Sequence, residues 1–255
     1  INPRDSTRDA GASSTGSAIA VVNGDVDIAL GADQGGSIRQ PAAWCGCVGL
    51  KPTRGLVPYT GIQSLDDTID YVGPMTRTVA DCAQTLEAIA GYDPLDPRHR
   101  HPTPEDEPGF EVEAYTDALD GSIGDLTIGV LAEGFETDDP NEAVLETVRE
   151  AIDRFADLGA TVREISVPWH TDGALLSTAI LTEGVAMKTD HEGLTPFTQG
   201  YQDVDYAESF GMARRVRGDD ISLRVKYMLL FGEYLGDQYQ HRYYAKAQNL
   251  ARELA

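Results

Sequence analysis

The sequence predicts an α/β fold: a mixed, mostly parallel β-sheet core flanked by α-helices. Three observations carry this expectation. The chain has 255 residues, is 41% hydrophobic and contains 26 glycines, enough apolar material for a substantial core and enough glycine for many tight turns. A strand-like run, Val26 to Leu30, leads directly into a glycine loop, Gly31-Ala32-Asp33-Gln34-Gly35-Gly36-Ser37. Further on, Leu126 to Leu131, Asn141 to Leu158 and Thr161 to Val167 read strand, helix, strand. That order predicts parallel pairing, in one sheet continued from the first half of the chain.

Residues 1 to 12 are polar and read as a loop. Ser17 to Val22 suits a short buried helix whose start is capped by the Ser/Thr cluster at Ser13, Ser14 and Thr15, and Asn23-Gly24-Asp25 ends it. After the glycine loop, residues 38–44 and 47–53 read as apolar turns, the floor of a buried site. Leu56 to Tyr59 and Tyr71 to Met75 are Gly/Pro-bounded strand or loop elements around a cavity. Thr78 to Ala90 reads as a helix with Thr78 as N-cap, Asp81 as its partner, Cys82, Leu86 and Ile89 facing the core and Gly91 as C-cap. Five prolines between Pro94 and Pro108 and the acidic run Glu105-Asp106-Glu107 mark the main internal boundary. The division expected is one domain over residues 1–255, with a catalytic core at 1–93, a Pro-rich acidic connection at 94–125 and the remaining α/β and helical portion at 126–255. Within the last, Asn141 to Leu158 places Val144, Leu145, Val148, Ile152 and Phe155 on one face before Gly159. His170 to Met187 reads as helix, and Asp219 to Ala255 as a helical tail whose Tyr227, Leu230 and Tyr234, and later Tyr243, Leu250 and Leu254, form a core or packing stripe.

Composition excludes several functions. Lys+Arg 20 against Asp+Glu 42 gives a net charge of −22, which repels phosphate backbones and anionic lipid surfaces. Nucleic acid and membrane are therefore not expected partners. Only Lys51, Lys188, Lys226 and Lys246 are lysine, and an acidic, Lys-poor surface predicts a protein kept soluble in high salt, that is, a halophile. Cys45, Cys47 and Cys82 are too few for a disulfide framework and point to a reducing cytoplasm; Cys45-Gly46-Cys47 has the wrong spacing for zinc. The polar start, with neither Met nor an apolar signal region, leads one to expect a chain that begins mid-protein.

The chemistry lies in the glycine loop. Glycines let backbone N–H groups converge on one point, and a hydroxyl among them at Ser37 suits a nucleophile whose attack creates negative charge where the donors already point. A histidine-assisted serine finds no support in local sequence, since His99, His101, His170, His191 and His241 are all distant from Ser37. The hydrolase elbow lacks its second glycine at Arg39, the phosphate loop lacks its Lys, and His191-Glu192 is not followed by a second zinc-binding His, position 195 being Thr. A serine activated without histidine remains, for which a Ser-Lys arrangement is the known solution.

Gly11-Ala12-Ser13-Ser14-Thr15-Gly16-Ser17, then Gly24 to Ala42, then Cys45-Gly46, Gly49-Leu50-Lys51-Pro52-Thr53 and Gly73-Pro74-Met75-Thr76-Arg77, strongly resemble the amidase signature family, in the family's order, over residues 11 to about 93. Asp33-Gln34-Gly35-Gly36, Leu56 to Gly61 and Thr68-Ile69-Asp70 look most like its stand-alone amidases, often found with nitrile hydratases. The resemblance implies that Ser37 is the acyl-forming nucleophile and Ser13 an intermediary serine held by a cis peptide bond. It implies an oxyanion hole from the amides of Gln34, Gly35, Gly36 and Ser37, with Ser14 a further substrate-binding residue. It implies an amidase-signature fold incomplete at both ends, because the family's third catalytic member, a lysine, comes from a stretch before Ser13; Lys51 matches the Lys-Pro-Thr turn instead.

The expected reaction is hydrolysis of a small carboxamide to carboxylate and ammonia, without cofactor or metal. A small-molecule amide is the expected partner, with a homodimer as the oligomeric option. The alternatives are a glutamine amidotransferase of the A type, serving aminoacyl-tRNA together with partner chains, and a non-catalytic binding domain or inactive fragment. Asp33 and Arg39 read as a structural pair stiffening the loop rather than as substrate contacts. Trp44 and Tyr59 read as acyl-pocket or core residues. The hydroxyls of Ser13 and Ser37 are expected to approach roughly 2.6–3.2 Å, or somewhat more without substrate.

Overall fold

The computed structural model describes residues 1–98, 111–136, 140–194 and 200–254. His99, His101, the acidic run at 105–107 and part of the Pro-rich connection lie outside the described residues.

Helix α1 (Thr15–Asn23) ends at Gly24 in the left-handed conformation, and the chain returns as strand β1 (Ile28–Ala32). β1 starts later than its apolar run suggests and extends into the glycines, because Gly31 and Ala32 pair with Gly73 and Val72 of strand β3 (Val72–Thr76). The stretch read as apolar turns contains helix α2 (Arg39–Cys45) and the short strand β2 (Val48–Gly49). Pro41 is compatible with that helix because first-turn N–H groups have no intrahelical acceptor to lose. Helix α3 (Val79–Ile89) begins as expected: Thr78 Oγ1 accepts from Asp81 N at 3.1 Å and donates to Asp81 Oδ2 at 2.7 Å.

Strands β1 and β2 both run antiparallel to β3, in the order β1-β3-β2. The outer strands therefore point the same way, as the α2 crossover between them demands, but β3 occupies the slot between them. Strand β4 (Thr127–Leu131), helix α4 (Glu142–Asp157) and strand β5 (Thr161–Ile165) form the predicted parallel unit, with Thr127 opposite Thr161 and Leu131 opposite Ile165. The class is α/β. The expected continuation into one sheet is corrected: among the described residues there are two sheets, an antiparallel one that carries the glycine loop and the parallel β4-β5 pair.

Among the described residues four α-helices follow, α5 (His170–Asp190), α6 (Val204–Arg217), α7 (Leu223–Tyr239) and α8 (Arg242–Leu254). The tail read as one helix is broken at Gln240 and His241, with φ of 49° and 58°. The cause is Glu183 on α5, a fully buried carboxylate that accepts from Tyr244 N at 3.0 Å and meets His241 Nδ1 at 2.9 Å. An anion there satisfies the unpaired donors of the first turn of α8, so the chain stops α7 and starts again on Glu183. The α7 part of the expected stripe faces outward, Tyr227 being 67% and Leu230 71% exposed, while Leu250 and Leu254 on α8 are half-buried.

What α7 buries is its glycine side. A Cβ on Gly232 would lie 2.2 Å from Thr182 O and 2.7 Å from Ala186 Cβ of α5. Gly232→Ala must therefore push α5 and α7 apart, and chemical denaturation should show a loss of about 2 kcal/mol, the ordinary cost of overpacking.

Two small cores anchor the first half. Ala10, Ala18, Ile38, Ala42, Cys45 and Met75 fill the space between α1, α2 and the sheet, while Val57, Tyr59, Val72 and Leu86 pack beneath α3. All three cysteines are free thiols; Cys45 and Cys82 are buried, and Cys45 Sγ donates to Ala10 O at 3.3 Å.

Candidate active site

Each serine motif sits where a helix meets the edge strand β1. Ser13 stands just before Ser14, the residue that heads α1, and its peptide bond with Ala12 is cis. Gly11 before it (φ 75°) passes so close to α2 that a Cβ would lie 2.8 Å from Pro41 Cα, and Ala12 N donates to Gln40 Oε1 at 3.3 Å. Ser37 closes the loop between β1 and α2. The two segments are joined through the backbone, Ser14 N donating to Ser37 O at 3.1 Å.

Ser14 heads α1, but its hydroxyl does not cap the helix. It faces β1, accepting from Ala32 N at 3.2 Å and lying 3.3 Å from Ala32 O, beneath Gly31, where a Cβ would come within 2.8 Å of it. No hydrogen bond joins the hydroxyls of Ser13 and Ser37 among the described residues; Ser13 is exposed and Ser37 half-buried. The two segments meet instead through a backbone contact one residue along, from Ser14 N to Ser37 O.

Asp33 organises the loop. Its side chain is fully buried, accepts from Gly36 N at 2.7 Å and Ile38 N at 3.2 Å, and binds Arg39 through Nε and Nη2, both at 2.9 Å. Burial raises its pKa, but the Arg39 and backbone hydrogen bonds outweigh burial and hold it below the ordinary carboxylate value. The expected structural role for Asp33 and Arg39 fits this geometry.

The same contacts engage one of the amides expected at the oxyanion position. Gly36 N–H points at Asp33, so it does not converge on a common anion position, and Gly36 instead supplies a φ of 108° that lets the loop turn. The N–H groups of Gln34, Gly35 and Ser37 make no hydrogen bond among the described residues. Three backbone donors of the loop that carries Ser37 are therefore unengaged, and Gly35 among them is exposed.

Sequence reading missed the far wall. Ser177 Oγ and Leu181 Cδ2 of α5 lie 3.9 Å from where a Cβ on Gly35 would stand, so α5 roofs the loop. Only the 21-residue helix itself signalled α5, and no motif marks those two positions. Beyond the loop, Tyr59, Ile62, Leu95, Arg98, Lys188 and Tyr206 help to line a cavity of about 260 Å³. Tyr59 is a buried wall residue, its hydroxyl 3.3 Å from Gln34 Nε2, with the Arg98 guanidinium 4.6 Å over its ring. Arg98 in turn holds Asp96, whose pKa is pushed up by burial yet drawn down to about 2 by the Arg98 and backbone hydrogen bonds. Trp44, by contrast, is half exposed on α2, neither pocket nor core. Lys51 is occupied elsewhere: its ammonium stands 3.6 Å over the Tyr71 ring and donates to Pro52 O at 3.0 Å.

Among the described residues no group of three or more His, Cys, Asp or Glu could hold a metal ion, and no helix is long and apolar enough to cross a membrane.

The amidase family model matches residues 1–255. The chain is 40% identical over 251 residues to an enantioselective amidase of Rhodococcus rhodochrous, covering 96% of this chain and 46% of that protein. It is 37% identical over 251 residues to the A-type chain of glutamyl-tRNA(Gln) amidotransferase from Natronomonas pharaonis, covering 97% of this chain and 56% of that protein. Its structure resembles native peptide amidase from Stenotrophomonas maltophilia, with a TM-score of 0.73 at 29% identity over 99% of this chain and 50% of the other. The chain spans about half the length of the curated relatives it matches.

Proposed function

Because this chain belongs to the amidase family, we propose that it supplies the nucleophile and oxyanion site of an enzyme that hydrolyses a carboxamide to carboxylate and ammonia. Ser37 Oγ attacks the carbonyl carbon, the carbonyl oxygen gathers charge at the N–H groups of Gln34, Gly35 and Ser37, and Ser13 carries the proton away from Ser37 towards a base. That proton returns through Ser13 to the leaving nitrogen, so collapse of the tetrahedral adduct breaks the C–N bond, releases ammonia and leaves an acyl-Ser37 ester, which water then cleaves by the same route. The observation that supports this best is the joining of two distant serine segments by the Ser14 N to Ser37 O bond, beside a loop with three unengaged amides. Small neutral amides are the proposed substrates, with no cofactor. The acidic, Lys-poor composition and the free cysteines support a salt-adapted, cytoplasmic setting.

The test is covalent capture. The protein expressed from its complete reading frame, treated with a fluorophosphonate, should gain one adduct, and peptide mass spectrometry should place it on Ser37. An unmodified Ser37, or an adduct elsewhere, would sink the assignment. The relative named as part of an amidotransferase supports a second reading, in which the released ammonia is passed to an aminoacyl-tRNA. Copurification of further chains with ATP-dependent turnover would select it, and absence of any labelling would favour a non-catalytic domain.

A further inference from the structure

Asp70 is a buried carboxylate whose side chain pairs with no Lys or Arg among the described residues. It is 3% exposed, the nearby Arg98 donates to its backbone carbonyl at 3.0 Å rather than to its side chain, and Lys188 turns to Asp67 at 3.4 Å. A bare buried charge is costly, so the donors around it must be many and well aimed. They are: Gln34 Nε2 at 2.8 Å, Leu65 N at 3.2 Å, Asp66 N at 3.4 Å and the Ser64 hydroxyl. Three of these four come from the turn that Asp70 itself closes. The fourth comes from the glycine loop, from the side chain of a residue whose backbone N–H faces the proposed oxyanion position.

Nothing else fixes Gln34 from that side among the described residues. Its other side-chain contact is the weaker one to Tyr59 Oη, at 3.3 Å. The turn beneath is itself immobilised by the helical layer, since Asp66 accepts from Tyr244 Oη of α8 at 2.8 Å, Thr68 Oγ1 accepts from Gln248 Nε2 at 2.6 Å, and Gly184 of α5 leaves room for Asp66, whose Oδ2 would lie 2.3 Å from a Cβ there. A continuous set of hydrogen bonds thus runs from α8 through residues 64–70 to Gln34. Asp33 pins the Gly36 end of the loop, and Asp70 pins the Gln34 end.

We propose that Asp70 is a positioning residue for amide hydrolysis: by holding the Gln34 carboxamide it fixes the tilt of the Gln34 peptide and so the aim of its N–H at the developing oxyanion. This rests on the reading of Ser37 as nucleophile. Asp70 touches neither substrate nor Ser37; it acts through Gln34.

The test is a double-mutant cycle on Gln34→Ala and Asp70→Ala in the protein expressed from its complete reading frame, reading the second-order rate of fluorophosphonate labelling at Ser37 alongside the melting temperature. Each single variant should label at least about tenfold more slowly, because one oxyanion donor is misaimed. The double variant should be no slower than the slower single, because both break the same link. Asp70→Asn keeps an oxygen for Gln34 Nε2 and should label within about threefold of wild type. Wild-type labelling by Asp70→Ala, or slowing by Asp70→Ala that multiplies fully with that of Gln34→Ala, would overturn the proposal, the latter marking Asp70 as a support of its own turn only. Should Asp70→Ala not fold, Gln34→Ala decides: labelling at the wild-type rate would show that nothing passes through that carboxamide. A wild-type protein that takes up no label at Ser37 fails the functional reading instead, and the two failures are told apart by that control.

Discussion

Ser37→Ala is expected to abolish both amide turnover and fluorophosphonate labelling, while Ser13→Ala keeps slow labelling at Ser37. The difference follows from what each change leaves in place. Without the Ser37 oxygen no covalent adduct can form, although the unengaged N–H groups of Gln34, Gly35 and Ser37 remain. Without the Ser13 hydroxyl the attacking oxygen and those amides persist, and only the proton route is lost, so turnover should fall by about 10²- to 10⁴-fold, the usual reach of general acid–base assistance. The backbone tie from Ser14 N to Ser37 O does not involve the Ser13 side chain, so Ser13→Ala should not move the loop. Stoichiometric labelling followed by intact-mass spectrometry separates the two. Label retained in Ser37→Ala and lost in Ser13→Ala would reverse the roles, and full activity in both would remove the mechanism.

The candidate site is legible in the sequence because its residues are local. Glycines that must approach α2 and β1 closely, and a serine placed after them, leave a dense pattern within residues 11 to 42, and the family resemblance of that pattern implies the cis bond at Ser13. The helices at 79–89 and 142–157 are legible for the same reason, each with a side-chain cap at its start, Thr78 and Asn141. What sequence does not reveal is partnership at long range. Nothing local says that β3 inserts between β1 and β2, since strand order is set by which edges meet after collapse. Nothing local says that Glu183 will break the tail helix by accepting from Tyr244, or that Asp70 will reach Gln34. Helix α6 leaves little trace because its sequence, Val204 to Arg217, has no continuous apolar face to betray it; its start is fixed by Asp203, which accepts from Tyr206 N at 2.9 Å. Gly36 shows the limit most directly. The motif places its amide among oxyanion donors, and only the carboxylate geometry of Asp33 reveals that this N–H points the other way.

Asp33→Ala should cost about 3 kcal/mol of stability and most of the reactivity of Ser37. The Asp33 side chain is fully buried whereas Arg39 is 54% exposed, so the substitution leaves a cation that water can solvate but strands Gly36 N and Ile38 N without their acceptor. Those two amides flank Ser37, and their release loosens the peptide that carries it. Asp33→Asn should fall between, since one oxygen still accepts while the new amide group confronts donors. The pH dependence has a definite sign. The folded pKa of Asp33 lies below the ordinary 3.8, so its contribution is present in full above that ordinary value and is lost only as pH falls through the lower folded value. The stability gap between wild type and Asp33→Asn, from guanidinium unfolding, should therefore be constant above about pH 5 and close only on further acidification. A gap that instead opens as the pH falls would mean that Asp33 is held protonated in the fold, and the loop would then need another explanation for its order.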